Sequence, residues 1–136
     1  RSLDQFSVNA SARFKKELDA AADPVDYIRQ FFRNVAHASK KIHQKGCIFG
    51  NAVAEHSNTE ILLMRKAARH LQQVEAIFLD ALLRGKKLGI LKSQIAPPLL
   101  ARLLLCNWNG LGITRRIYPD NESLSELIEL QLKILE

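Results

Sequence analysis

The chain has 136 residues, of which 47% are hydrophobic and 25% charged, and its formal net charge is +6. This length suits one domain with a substantial core, and the composition excludes a collagen-like or linker-like chain. The basic residues are scattered in short groups, which favours solvated faces and helix ends over the alternative, a phosphate-binding patch.

Cysteine usage and hydropathy indicate the compartment. Cys47 and Cys106 lie in apolar stretches without metal-ligand spacing, which indicates buried thiols in a reducing compartment. No apolar run reaches the ~18 residues of a membrane span, and no signal peptide is visible. We therefore expect a cytoplasmic protein without a membrane partner.

Two helices are predicted at the start of the chain. Apolar residues recur every three or four positions over residues 3–22, as on one face of a helix. Asp23 then suits a helix N-cap, and Pro24 suits the first helical position. The second helix is predicted over residues 24–44, with lysines in its last turn and Gly46 just beyond it.

The middle of the chain predicts a short helix and then the longest one. The short helix covers residues 46–55 and is punctuated by glycine. The long helix covers residues 59–87, opened by Ser57 in a capping box or by Asn58 as the cap. Gly89 is predicted to end it.

The next helix, predicted over residues 95–118, is apolar almost all round. Only Arg102, Asn109 and Arg116 mark a narrow polar edge. Such a helix has to be covered on most sides. We expect part of that cover to come from a second copy of the chain.

The last segment, residues 123–136, opens with Ser123 and Glu126 at capping-box spacing. Alternating apolar residues there leave a strand open, but the Glu, Leu, Gln and Lys composition favours a helix. No strand is predicted elsewhere, so the predicted fold class is all-α.

Signals of catalysis are poor. The four histidines show no HExxH motif and no paired ExxH motif. A glycine-rich phosphate loop and a GxSxG motif are also lacking. We therefore predict no enzyme, no catalytic residue, no metal site and no cofactor.

Polar residues on otherwise apolar helix faces predict a small-molecule pocket, because a buried polar group needs a partner. Aromatic side chains supply the apolar walls that such pockets have. The alternative is that these polar groups bond one another or the backbone. The predicted ligand-binding residues are Phe14, Phe32, Asn51, His70, Glu75, Phe78, Asn107 and Trp108.

Residues 46–51, Gly-Cys-Ile-Phe-Gly-Asn, with Glu55 resemble the GCxxxN…E stretch of regulators of the tetracycline-repressor (TetR) family. The context agrees, with a long helix ending in Gly-Lys-Lys-Leu-Gly-Ile-Leu. An Ala/Leu-rich helix containing Asn-Trp-Asn-Gly-Leu and a last Leu-rich helix follow. The resemblance covers residues 3–135, the regulatory domain of that family.

The resemblance implies a domain of about six helices that binds a small, largely apolar effector and homodimerises. Its last two long helices would form an intermolecular four-helix bundle, with Gly110 and Gly112 permitting close approach. The predicted dimer-interface residues are Leu99, Arg102, Leu103, Cys106, Gly110, Ile113, Ile117, Leu127, Leu130 and Ile134.

Nothing in the chain resembles the N-terminal helix-turn-helix unit of the family. We therefore expect residues 1–136 to form a single ligand-binding and dimerisation domain. The DNA-binding unit was either removed, which we favour, or never present. Operator DNA would be contacted only through that missing part. In intact members the first helix would act as the lever between the effector and the DNA-binding heads.

The alternative is a helical protein–protein interaction module without a small ligand. A repressor domain predicts an enclosed pocket between the first helix, the long helix and the apolar helix. An interaction module predicts a core that is filled solid there.

Overall fold

The structure, a computed structural model, describes residues 3–37 and 61–136. Within these ranges the chain is all-α and has no strand, which confirms the predicted fold class. Its five helices, closed by a short 3₁₀ turn at Lys133–Leu135, are α1 Leu3–Ala20, α2 Pro24–Ala36, α3 Ile61–Lys87, α4 Pro97–Ile117 and α5 Asn121–Leu132. The short helix predicted over residues 46–55 lies outside the described residues, as do the start signals at residues 57–60.

The start of α2 and the end of α3 confirm the predicted boundaries. The Asp23 carboxylate accepts a hydrogen bond of 2.9 Å from the N–H of Asp26, and Pro24 is the first helical residue. Gly89 follows α3 with φ +76°, a left-handed conformation that glycine adopts without a Cβ clash. Both signals act within one turn of a helix end, so they are readable from sequence alone.

Two boundaries differ from the prediction. α2 ends at Ala36, not at residue 44. The N–H of His37 donates to the carbonyl oxygen of Asn34, three residues earlier, at 3.2 Å, and this tighter turn closes the helix. The prediction that Ser123 opens the last helix in a capping box is wrong. Asp120 caps α5 instead, and its carboxylate accepts a bond of 3.2 Å from the N–H of Glu122. Asp and Ser are both good caps, and the upstream one is used.

The helices enclose one hydrophobic core. α3 packs against α1, α2 and α4, while α5 covers α2. Bulky apolar side chains from all five helices and the 3₁₀ turn fill the space between them. The largest fully buried ones are Phe32, Phe78, Leu18, Ile28, Leu82, Leu100, Leu104, Leu111, Leu124, Ile128 and Leu135.

Gly85 lets α2 and α3 approach closely. A Cβ atom at this position would lie 2.5 Å from Cγ2 of Val25, which is nearer than two carbon atoms can pack. Glycine weakens a helix interior by ~0.5–1 kcal/mol relative to alanine. Here that cost accompanies the close packing of Val25, which is fully buried.

Two arginines tie distant elements together. Arg84 of α3 donates from Nη1 to the carbonyl oxygens of Leu18 and Asp19, at 3.1 and 3.2 Å, and from Nη2 to that of Ala21. Arg33 of α2 pairs with Glu129 of α5 through two bonds of 2.8 and 3.0 Å. The bonds of Arg84 fix the end of α1, and the paired bonds of Arg33 hold α5 on α2.

Candidate functional site

Aromatic side chains from four helices meet in the core. The ring of Phe31 lies between those of Phe14 and Trp108, with centroids 4.5 Å from each and interplanar angles of 20° and 29°. Phe78 meets Phe14 edge-on at 5.6 Å, and Phe32 meets Trp108 edge-on at 5.5 Å. Stacked and edge-to-face contacts are the arrangements that aromatic rings prefer. We call these five side chains the aromatic cluster.

The aromatic cluster contains four of the predicted ligand-binding residues, Phe14, Phe32, Phe78 and Trp108. Among the described residues, the rings themselves occupy the space between α1, α3 and α4 where the pocket was predicted. Phe31 was not among the predicted site residues. The sequence pattern places Phe31 on the inner face of α2 together with Phe32, but helix periodicity does not show that rings from both α1 and α4 contact it.

The predicted polar ligand residues lie at separate places. Glu75 of α3 accepts a hydrogen bond from Nε of Arg102 of α4. His70 is buried, and desolvation lowers the pKa of its imidazole, so its neutral form is favoured. Asn107 is half-buried on α4, and Asn51 lies outside the described residues. Arg102 was predicted in the dimer interface and Glu75 in the ligand-binding site, so their pairing links residues of these two predicted sites.

A narrow cleft lies beside the aromatic cluster, between α2 and α4. Val35, Trp108, Leu111, Gly112 and Arg115 line it. Its walls are apolar apart from the Arg115 side chain, which is half-buried. Trp108 therefore belongs both to the aromatic cluster and to the wall of this cleft.

α4 has a second apolar face that points away from the core. Leu100, Leu104 and Leu111 are buried on the inner side. On the outer side, Leu99 is 59% exposed and Ile117 is 63% exposed. Along the same outer stripe lie further exposed residues of the predicted interface, which are Arg102, Leu103, Cys106, Gly110 and Ile113. We call this stripe, together with Leu127 and Leu130 of α5, the outer face.

Three details of the outer face differ from expectation. Cys106 is exposed, so the prediction of a thiol buried within the subunit is wrong for it, because its position on α4 points away from the core. Cys47 lies outside the described residues. Gly112 was expected to permit close approach of a second copy, but it is buried on the inner side of α4 and lines the cleft. Ile134 is half-buried and packs against the core rather than standing on the surface.

The described part of the chain offers no metal-binding cluster, since no three His, Cys, Asp or Glu side chains converge within it. None of the helices described there is long and apolar enough to cross a membrane.

The described residues thus form an all-helical domain with an aromatic cluster on one side of α4 and an exposed, largely apolar stripe on the other. Residues 11–130 match the family described as tetracyclin repressor-like, C-terminal domain. The chain belongs to this family, which confirms the resemblance found in the sequence. It is a TetR-type C-terminal regulatory domain.

The chain is similar to the HTH-type transcriptional repressor DhaR of Mycobacterium sp. (strain GP1), with 24% identity over 117 residues. The match covers 86% of this chain and 58% of that repressor, so the chain spans little more than half the length of its relative. No solved structure matches the chain.

Proposed function

We propose that this domain binds a small, largely apolar effector and homodimerises as the regulatory part of a transcriptional repressor. The observation that carries the proposal is the division of α4 between two apolar faces. One face packs on the aromatic cluster, and the other is exposed to solvent. It acts by binding, in the cytoplasm, and not as an enzyme.

Dimerisation follows from the outer face. Burying a fully exposed leucine stabilises an assembly by roughly 1.5–3 kcal/mol, so several leucines on one stripe favour association. α5 adds two exposed leucines, Leu127 and Leu130, which are 37% and 62% exposed. Two copies of α4 and α5 would then form a four-helix bundle, in which Gly110 allows close approach.

Effector binding follows from the aromatic cluster and its contact with α1. Phe14 of α1 belongs to the cluster, so a ligand that enters it changes how α1 packs. In a full-length repressor, α1 would pass that change to a DNA-binding part. A swing from 1:99 to 99:1 between two packings requires a differential affinity of ~5.5 kcal/mol.

The operator-binding step rests on the relative. That protein is named as a helix-turn-helix-type repressor, and this chain spans 58% of its length. We propose that the protein of which this domain is part binds operator DNA through such a unit, and that the domain described here binds none by itself.

The variant Gly110→Arg tests the dimer. A Cβ atom at Gly110 meets nothing within 4 Å in its own chain, so the single subunit has room for an arginine. We expect the wild-type chain of 15.4 kDa to run at about twice that mass by sedimentation and native mass spectrometry, and the variant to run as a monomer. Gln72→Arg, on an exposed position of α3, is the matched control and should stay dimeric.

A Gly110→Arg variant that dimerises as tightly as the wild type refutes this interface. Native and denatured masses of the wild type test the effector, because a non-covalent ligand is lost on denaturation. A bare monomer without any adduct contradicts the proposal and favours the interaction module.

A further inference from the structure

The middle ring of the aromatic stack occupies a slot one ring thick. Phe31 has a nearly parallel ring on each side, from Phe14 of α1 and from Trp108 of α4, each 4.5 Å away between centroids. The two outer rings belong to different helices than Phe31. Each wall also contacts another ring of the core, Phe14 with Phe78 and Trp108 with Phe32, and these contacts support the walls independently of Phe31.

Two of the three stacked rings are partly exposed to solvent. Phe31 and Trp108 are half-buried, whereas Phe32 and Phe78 are fully buried behind them. The narrow cleft reaches Trp108 and Val35, and Val35 lies one helical turn beyond Phe31 on α2. Because Phe31 is only half-buried, a change to another staggered rotamer is the route by which its ring would leave the stack.

We propose that the effector carries a planar aromatic ring that replaces the ring of Phe31 between Phe14 and Trp108. This inference rests on the proposed effector-binding function and names the chemical class of the ligand. The spacing admits a flat ring stacked on both faces, while a puckered saturated ring is thicker and cannot stack. In the absence of ligand, the ring of Phe31 fills the space between Phe14 and Trp108, and we call this side chain the plug.

The plug also links ligand size to the position of α1. Phe14 is one wall of the slot and projects from α1, while Trp108 projects from α4, which packs along α3. A single ring of the size of phenylalanine leaves the walls where they are. A fused or substituted ring system that extends beyond it presses on Phe14 and so on α1.

The test compares nitrobenzene with nitrocyclohexane, which share a nitro group and differ in ring planarity. Trp108 is the only tryptophan, so saturable quenching of its emission, together with a rise in melting temperature, reports binding at the slot. We expect nitrobenzene to bind wild-type protein at least about tenfold more tightly than nitrocyclohexane, because only the planar ring stacks on both walls.

Two variants of the plug sharpen the test. Phe31→Leu removes the stacked ring that the ligand must displace, so nitrobenzene should bind about tenfold more tightly than to wild type. Phe31→Tyr keeps the ring and should bind as the wild type does. Phe14→Leu removes one wall of the slot and should weaken nitrobenzene binding both in the wild type and in the Phe31→Leu variant.

Equal affinity for the two probes in the wild type overturns the inference, and that comparison requires no variant to fold. Unchanged nitrobenzene affinity in a folded Phe31→Leu variant overturns it too. A native mass adduct without a planar ring would refute the slot while leaving the proposed function standing. A monomer without any adduct that still binds nitrobenzene selectively would refute the proposed function while leaving the slot standing.

Discussion

At the scale of one residue, the surroundings of Tyr27 change the pKa of its phenol. Its phenol donates a hydrogen bond to the carboxylate of Glu17, which joins α2 to α1. Burial, and to a smaller degree this bond, raises the pKa of Tyr27 from 10.0 to about 12. Because the folded pKa is the higher one, the contribution to stability is present below pH 10 and is lost as the pH rises to about 12.

We expect this shift to be visible in a Tyr118→Phe variant, which leaves Tyr27 as the only tyrosine. Phenolate absorbance should rise with a midpoint near pH 12 in the folded protein and near pH 10 in urea, where burial is lost. Adding Glu17→Gln should lower the folded midpoint only in part, since burial is the larger cause. A folded midpoint at pH 10 would show that Tyr27 is not held as described.

Arg84 matters at the scale of the element. α1 has no basic residue in its own last turn, and Arg84 of α3 supplies a cation to its C-terminal carbonyl groups. A positive charge there complements the helix dipole, and hydrogen bonds from a charged donor are stronger than neutral ones. The end of α1 is therefore fixed by a neighbouring helix.

Arg84→Ala should lower the free energy of unfolding by about 2 kcal/mol, measured by urea denaturation, because three carbonyl groups lose a charged donor. Arg84→Lys keeps the charge without the planar fork and should lose an intermediate amount. Lys86→Ala, at an exposed position in the same turn, serves as the control and should cost less. If all three variants unfold alike, the contact with α1 contributes no stability.

The sequence predicted helices well where the signal is local. Asp23 with Pro24 marks the start of α2 and Gly89 marks the end of α3, each through a contact or conformation within one turn, and the structure confirms both. At Asp120 and Ser123 two good caps compete within one turn, and sequence alone did not rank them correctly. Helix existence follows from periodicity, whereas the last residue of a helix depends on which bond closes the turn.

The candidate site was predictable only in part, because it is assembled from four helices. The apolar pattern identified Phe14, Phe32, Phe78 and Trp108, which do meet in the core. Their order within the stack, with Phe31 in the middle, depends on how α1, α2 and α4 cross. Helix periodicity contains no information on that crossing.

At the scale of the whole molecule, the proposed dimer would make stability depend on association through the outer face. If two copies bury it, dilution shifts the equilibrium towards monomers whose leucines face water. The melting temperature of the wild type should therefore rise with protein concentration, measured by calorimetry over a hundredfold range. Gly110→Arg should melt at a lower temperature that does not change with concentration, and Gln72→Arg should follow the wild type. A constant melting temperature in the wild type would contradict association in this range.

The packing of α5 on α2 has a consequence for synthesis. The bond between Arg33 and Glu129 joins positions 96 residues apart, and about 85 residues separate the end of α2 from the start of α5. At roughly 5–20 residues per second on the ribosome, α2 waits several seconds or longer for α5 to be made. During that time the face of α2 that α5 will cover stays open to other binding partners.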